Sequence, residues 1–289
     1  MNRPLGGGRA AAYVLLDCFT DQPLCGNQLA VFTPTAQPLE GDLMQRIARE
    51  LNLSETVFLE PTDGEMRAKA RIFTPLAELP FAGHPVLGAA VVVGSTDRAD
   101  RVSIVTAAGP VAVGLDWSAA VPRGRMTQPL PSWDRFGAER ELLAALGVAG
   151  SRLPIELYSN GPRFAMVVLA DEKELAQLAP DITALAQLGQ LGAYCTAARE
   201  NGSWEVRMFA PAFGIAEDPA TGSGAGLLAT HLARHGLTAF GAEIEIHQGL
   251  RIGRPSRLYA RVSGGPERIE RVEVAGDAVI VGGGELRLP

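Results

Sequence analysis

Phe73-Thr74-Pro75, followed by Pro80-Phe81-Ala82-Gly83-His84-Pro85, has an echo further on: Phe209-Ala210-Pro211, followed by Pro219-Ala220-Thr221-Gly222-Ser223-Gly224. The phenylalanines lie 136 positions apart and the glycines 139, near half of the 289 residues. Each stretch reads as a strand end, a glycine-bearing loop and a run of small apolar residues that a helix would bury. Those helices are expected over Pro85 to Val93, with Pro85 at the first helical position, and over about 222–235. The chain therefore reads as two diverged copies of one unit. The competing reading is coincidence, because Gly (33) and Pro (20) are abundant. Two copies would place a site between the halves, where both loops face one cleft.

Working outward, Tyr13 to Asp17 and Leu29 to Phe32 are apolar runs of strand type around a turn at 21–27. Leu39 to Leu51 has helical spacing, and Ser54 to Leu59 and Ala68 to Thr74 return to strand character. Strands are expected at 101–106, 110–115, 155–159, 163–169, 191–197 and 204–209, and helices at 134–147 and near 171–178. Pro122 to Trp133 reads as a linker. It sets the expected boundary, with an N-terminal domain at 1–127 and a C-terminal domain at 128–289.

Composition narrows the function. Hydrophobic residues are 47% and charged residues 20%, enough for a real core. The net charge is −6 and no basic face shows, so a nucleic-acid partner is disfavoured. No run of 18 apolar residues exists, and no membrane span is expected. The start, Met1 to Arg9, lacks the apolar core of a signal peptide. Three cysteines (Cys18, Cys25, Cys195) form no C-x-x-C pair, which disfavours a disulfide framework or a cysteine-zinc site. The expectation is a cytoplasmic protein.

The glycine loops carry the chemistry. A helix start has unpaired N–H groups and partial positive charge. Gly83-His84 and Gly222-Ser223 would offer adjacent N–H groups that hold a small carboxylate or enolate without a cation. Beside them stand four polar side chains. Glu55 begins a strand, and its plainer reading is a solvated strand end. His84 would be a neutral donor or acceptor, or simply a packing residue. Asp218 precedes Pro219, so its plainer reading is a helix N-cap. Ser223 would cap or donate to a ligand.

Other chemistries fail on spacing. Thr221-Gly222-Ser223-Gly224 lacks the first glycine of G-x-S-x-G. Gly222 to Leu227 lacks the last glycine of a dinucleotide fingerprint, and no Walker lysine follows a glycine loop. His231 and His235 share a helix face, but no glutamate of the H-E-x-x-H type lies between them.

Taken together, Glu78-Leu79-Pro80-Phe81-Ala82-Gly83-His84-Pro85, Glu217-Asp218-Pro219-Ala220-Thr221-Gly222-Ser223 and Asn52-Leu53-Ser54-Glu55 resemble the signatures of the PhzF phenazine-biosynthesis family. The resemblance extends over all but the first 11 or so residues. It includes Gln128 to Trp133, Asn160 to Arg163 and Gly249 to Pro255. It implies a diaminopimelate-epimerase-like α/β (α+β) fold of two pseudo-symmetric domains, each a mostly antiparallel barrel around a central helix. The last strand, about 278–289, is expected to return to the first domain.

The resemblance also implies a cofactor-free, metal-free isomerase of trans-2,3-dihydro-3-hydroxyanthranilate, and a homodimer. Glu55 would move a proton from C3 to C1 of the ring. His84 and Asp218 would bind the substrate's hydroxyl and amine. Ser223, with the N–H groups of Gly83 and Gly222, would hold its carboxylate. Epimerases of this fold use a cysteine from each half; here the corresponding loops contain none, so a carboxylate takes over. Two positions depart from the family pattern: Gln28, where proline is frequent, and Gly224, where alanine is common. The runner-up is an isomerase or epimerase of another small amino or hydroxy acid, since fold alone does not choose a substrate. A non-catalytic anion receptor is the reading from another class.

Overall fold

The computed structural model describes residues 9–62 and 67–289. In the first half the chain runs through β1 (Ala10–Cys18), β2 (Asn27–Phe32), α1 (Gly41–Leu51), β3 (Glu55–Glu60) and β4 (Arg67–Phe73). It continues through β5 (Glu78–Leu79), α2 (Gly83–Gly94), β6 (Arg101–Thr106), β7 (Gly109–Asp116) and β8 (Arg123–Thr127). The second half begins with β9 (Ser132–Arg135), α3 (Glu139–Leu146), β10 (Glu156–Ser159), β11 (Arg163–Val168), α4 (Glu172–Ala176) and α5 (Ile182–Gln187). It ends with β12 (Gly192–Ala198), β13 (Trp204–Ala210), β14 (Ile215–Asp218), α6 (Gly222–Arg234), β15 (Glu243–Gln248), β16 (Ser256–Gly264) and β17 (Ile269–Arg287).

The strands close a ring in the order β1, β2, β3, β4, β6, β7, β8, β17 and back to β1. Within it β2–β3 and β4–β6 are parallel and every other pair is antiparallel. α2 fills this barrel, touching β1, β2, β3, β4, β6, β7 and β8. A helix walled by strands on all sides must be apolar all round. Residues Gly83 to Val91 of α2 are accordingly buried. Val86, Leu87 and Val91 are fully buried, and each contributes about 1.5–3 kcal/mol relative to exposure. By contrast α1 lies outside, burying only Met44, Ile47 and Ala48 on one face.

The second half repeats the plan around α6. Its strands run β9, β10, β11, β12, β13, β15, β16, β17, with β11–β12 and β13–β15 parallel. Among the described residues no ladder joins β9 to β17. The likeness of the halves reaches side chains. Arg71 makes a two-pronged ion pair with Glu78, at 2.8 and 2.7 Å, and lies over the Phe73 ring. Arg207 does the same with Glu217, at 2.9 and 2.7 Å, and lies over the Phe209 ring. The internal repeat is therefore structural.

One strand belongs to both rings. Ile269 to Ala275 of β17 pair with β16, while Ala278 to Arg287 pair with β1. β8 pairs with the crossover, Glu273 to Asp277.

Three expectations need correcting. Residues 122–133 hold two short strands, β8 and β9, rather than a linker, because both find ladder partners in β17 and β10. α2 starts at Gly83, so Pro85 is its third residue. Proline is accepted there because the first helical N–H groups have no intrahelical acceptor. The helix near 134–147 is shortened to α3 by β9, and α5 was not foreseen at all.

Candidate active site

α2 and α6 meet at their N-termini. A methyl carbon built on Gly83 would lie 2.4 Å from the Ser223 amide nitrogen and 2.6 Å from the Gly222 carbonyl carbon. Glycine at 83 is thus the condition for the two helix starts to abut. The first turns of both helices, with their unpaired N–H groups, border one pocket. Its empty volume is about 460 Å³, counting the part that opens to solvent. All six sequence candidates line it: Glu55, Gly83, His84, Asp218, Gly222 and Ser223. The rest of its lining is largely apolar, with Leu79, Pro162, Phe164, Met208, Phe213 and Ile215. Among the described residues no lysine or arginine lines it.

Glu55 enters as the first residue of β3, paired with Leu29 of β2. His84 is the second residue of α2. Their side chains face each other, with His84 Nε2 3.4 Å from Glu55 Oε2. Both atoms are buried and have no hydrogen-bond partner. Buried polar atoms are rarely left so. Burial pushes the Glu55 carboxyl well above its usual range, and the charge of Asp218 pushes it further. Burial also drives His84 down to about 3, so its imidazole is neutral at physiological pH.

Asp218 comes from the end of β14. It is no N-cap: Thr221 holds that place, and Asp218 turns into the seam between the halves. Its Oδ1 accepts from Ser54 Oγ at 2.9 Å and from Asn27 Nδ2 at 2.9 Å, and its Oδ2 from Thr221 Oγ1 at 2.5 Å. Burial lifts Asp218 to about 6 against these three donors. The donors make Asp218 the member of the carboxyl pair that carries the charge, and Glu55 the one that keeps its proton longer.

A polar frame holds the two loops. Gln248 donates to the Asp218 carbonyl at 2.8 Å and accepts from the Thr221 amide at 3.0 Å. Gln128 donates to the Gly222 carbonyl at 2.8 Å, and Asn160 to that of Ser223 at 3.1 Å. Asn27, Ser54, Gln128, Asn160 and Gln248 were not singled out as functional side chains. Ser54, Gln128 and Asn160 did lie in stretches that carry the family resemblance. Of the departures, Gln28 is exposed on β2 and points away from the site. Gly224 packs under Tyr194: a methyl carbon there would lie 2.2 Å from the ring.

A second cluster lies elsewhere on α6. Glu156 of β10 supplies the carboxylate missing from the His231–His235 pair, and the three ligand atoms lie within 4.8 Å of one another. The same Glu156 oxygen already accepts from Arg234 at 2.7 Å and from Tyr158 at 2.8 Å. A guanidinium in contact with the carboxylate opposes a divalent cation, and the cluster is an ion-pair network. The three cysteines are free, and Cys18 and Cys195 are buried. None of them lines the pocket.

A closed barrel and a second sheet of the same plan, with a carboxylate-bearing pocket at their paired helix starts, define the fold that this chain shares with racemase-like proteins. The chain belongs to the PhzC-PhzF family, phenazine biosynthesis-like proteins, whose profile matches residues 16–284. It is 47% identical to the trans-2,3-dihydro-3-hydroxyanthranilate isomerase of Pseudomonas aeruginosa, over 96% of this chain and 99% of that protein. Among solved structures, a predicted epimerase from Pseudomonas aeruginosa is 31% identical and superposes with a TM-score of 0.81, covering 96% of this chain and all (100%) of that one. A PhzF-family phenazine biosynthesis protein from Bacillus anthracis, 22% identical, shares the fold with a TM-score of 0.83 over 97% of this chain and 100% of its own. The protein is an isomerase. No helix among the described residues is long and apolar enough to cross a membrane.

Proposed function

We propose that this isomerase acts on trans-2,3-dihydro-3-hydroxyanthranilate, with Glu55 as its proton carrier. The observation that carries the reading is the facing pair of unpartnered atoms, Glu55 Oε2 and His84 Nε2, in a pocket lined by apolar side chains and two helix starts. A ring with a carboxylate at one end matches that division. The 47% identity to an isomerase of this substrate supports the choice.

In the first step the ionised Glu55 carboxylate takes the proton from C3, and the C–H electron pair becomes part of a shifted double bond. In the second, Glu55 returns the proton to C1, and the resulting enol tautomerises to an amino-ketone. The net change is a proton transfer and a double-bond shift, with no redox co-reactant. One carboxyl serves both steps because both carbons lie on one face of the ring. A raised carboxyl pKa strengthens the base and brings the two transfers nearer to balance. Asp218 and His84 bind the amine and hydroxyl. Ser223 and the N–H groups of Gly83 and Gly222 bind the carboxylate, where partial positive charge accumulates at both helix starts. The product's fate is condensation with a second molecule towards a phenazine, and the working form is a homodimer in the cytoplasm.

Proton NMR of the protein with this substrate in D₂O tests the reading. Loss of substrate with a shifted ring double bond, absent in Glu55→Gln, is the expected result. An unchanged substrate would sink the assignment and direct the search to other small amino or hydroxy acids.

A further inference from the structure

Asn27 touches proton-handling residues from both halves of the chain. Its Nδ2 lies 2.9 Å from Asp218 Oδ1, 2.9 Å from the Ala220 carbonyl oxygen and 3.3 Å from His84 Nδ1. The two oxygens only accept when Asp218 is ionised, and they fix which way the amide faces. Turning it round would set three oxygens against one another at a residue that is 1% exposed. An amide nitrogen carries two hydrogens and accepts nothing. A hydrogen on His84 Nδ1 would therefore find no acceptor in Asn27, whereas a lone pair there can share one of the amide's two hydrogens, so Nδ1 carries the lone pair. Burial keeps the ring neutral. A neutral imidazole with a bare Nδ1 has its one proton on Nε2. That is the atom facing Glu55 Oε2 at 3.4 Å without a hydrogen-bond partner.

We propose that Asn27 is a positioning residue that fixes His84 as its Nε2–H tautomer, so that the pocket receives a neutral donor beside Glu55. The functional part rests on the reading of His84 as a substrate-binding group; the tautomer itself does not. The consequence is chemical. An Nε2–H donor offers a hydrogen bond to the substrate's hydroxyl oxygen, and it tolerates an ionised Glu55 alongside. The other tautomer would aim a lone pair at that carboxylate.

The test is nitrogen NMR of the full chain with ¹⁵N-labelled histidine, read through the ring couplings at neutral pH without substrate. The chain has four histidines. His84→Gln assigns the wanted signals by their loss. The expected wild-type pattern is a pyridine-type Nδ1 and a pyrrole-type Nε2. In Asn27→Ala, checked as folded by circular dichroism, the pattern is expected to shift towards a mixture of tautomers. Its kcat should fall at least about tenfold, a part of the roughly 10²–10⁴-fold that acid–base groups contribute, with KM changed less. A pyrrole-type Nδ1 in the wild type overturns the proposal with no variant needed. An unchanged Nε2–H pattern in Asn27→Ala also overturns it, by showing that something else sets the tautomer. If the wild type shows the expected pattern and its loss in Asn27→Ala, but does not turn over trans-2,3-dihydro-3-hydroxyanthranilate, the tautomer assignment stands and the substrate assignment fails.

Discussion

Gly83 and Ser223 are in backbone contact across the seam between the two halves, so close that any side chain on Gly83 would collide with the Ser223 amide. The two helix starts can serve one ligand because of this contact. Gly83→Ala should force them apart. We expect a stability loss of about 1–3 kcal/mol, typical of overpacking, and a larger proportional loss of turnover. Paired thermal unfolding and kinetics decide it; normal activity in Gly83→Ala would contradict the account of the anion site.

Glu55→Gln should lose turnover by about 10²–10⁴-fold, the usual contribution of a proton-transferring group. It should also gain stability at neutral pH. The folded-state pKa of Glu55 is raised above its ordinary 4.5, so protonation favours the fold and its contribution fades as pH climbs towards that raised value. Glutamine mimics the protonated acid and cannot ionise. Urea unfolding at pH 5 and pH 8 measures this; a stability gain no larger at pH 8 than at pH 5 would refute it.

Asp218→Asn should move the acid limb of the pH–rate profile to lower pH. After burial, the charge on Asp218 is the next cause of the raised Glu55 pKa. Removing that charge lowers the pKa, so the ionised base is present at lower pH. A limb that stays in place would mean that burial alone tunes Glu55.

Gly224→Ala should cost about 1–3 kcal/mol, since its methyl would lie 2.2 Å from the buried Tyr194 ring. Combining it with Tyr194→Leu should recover part of that loss, because contacting residues couple. Strictly additive unfolding energies in the double-mutant cycle would rule out the contact as the reason alanine is absent here.

Arg254→Ala should destabilise the chain by about 3 kcal/mol, as breaking a largely buried ion pair does. Arg254 holds Asp17 at 2.5 Å and the carbonyls of Cys25 and Gly26 at 2.6 and 2.9 Å. It thereby pins the turn that leads into Asn27. Denaturant titration reads the cost, and a change below 0.5 kcal/mol, about the level of an ordinary surface substitution, would deny it that part.

The repeat was legible because it is written in local signals. Phe73 and Phe209 lie at the ends of equivalent strands, as the last residue of β4 and the last but one of β13, and Gly83 and Gly222 begin equivalent helices. Glu55, His84 and Ser223 stood beside those signals and do line the pocket. Asp218 was half legible: its neighbour Pro219 suggested a cap, yet three residues intervene before the helix. What escaped notice was long-range. Asn27 gains its meaning from Asp218, 191 positions away, and Arg254 from Asp17, 237 positions away. No periodicity or spacing encodes such pairs. Likewise, the glutamate facing His231 and His235 comes from another strand, so a helical motif search passes it by.

The shared strand β17 constrains how the molecule comes into being. Its segment Ala278 to Arg287 closes the first barrel onto β1, yet it is synthesised after every other strand of the second ring. On the ribosome the first barrel therefore cannot close until the second half has emerged. The closure of the first barrel thus depends on residues that follow the whole second half in sequence.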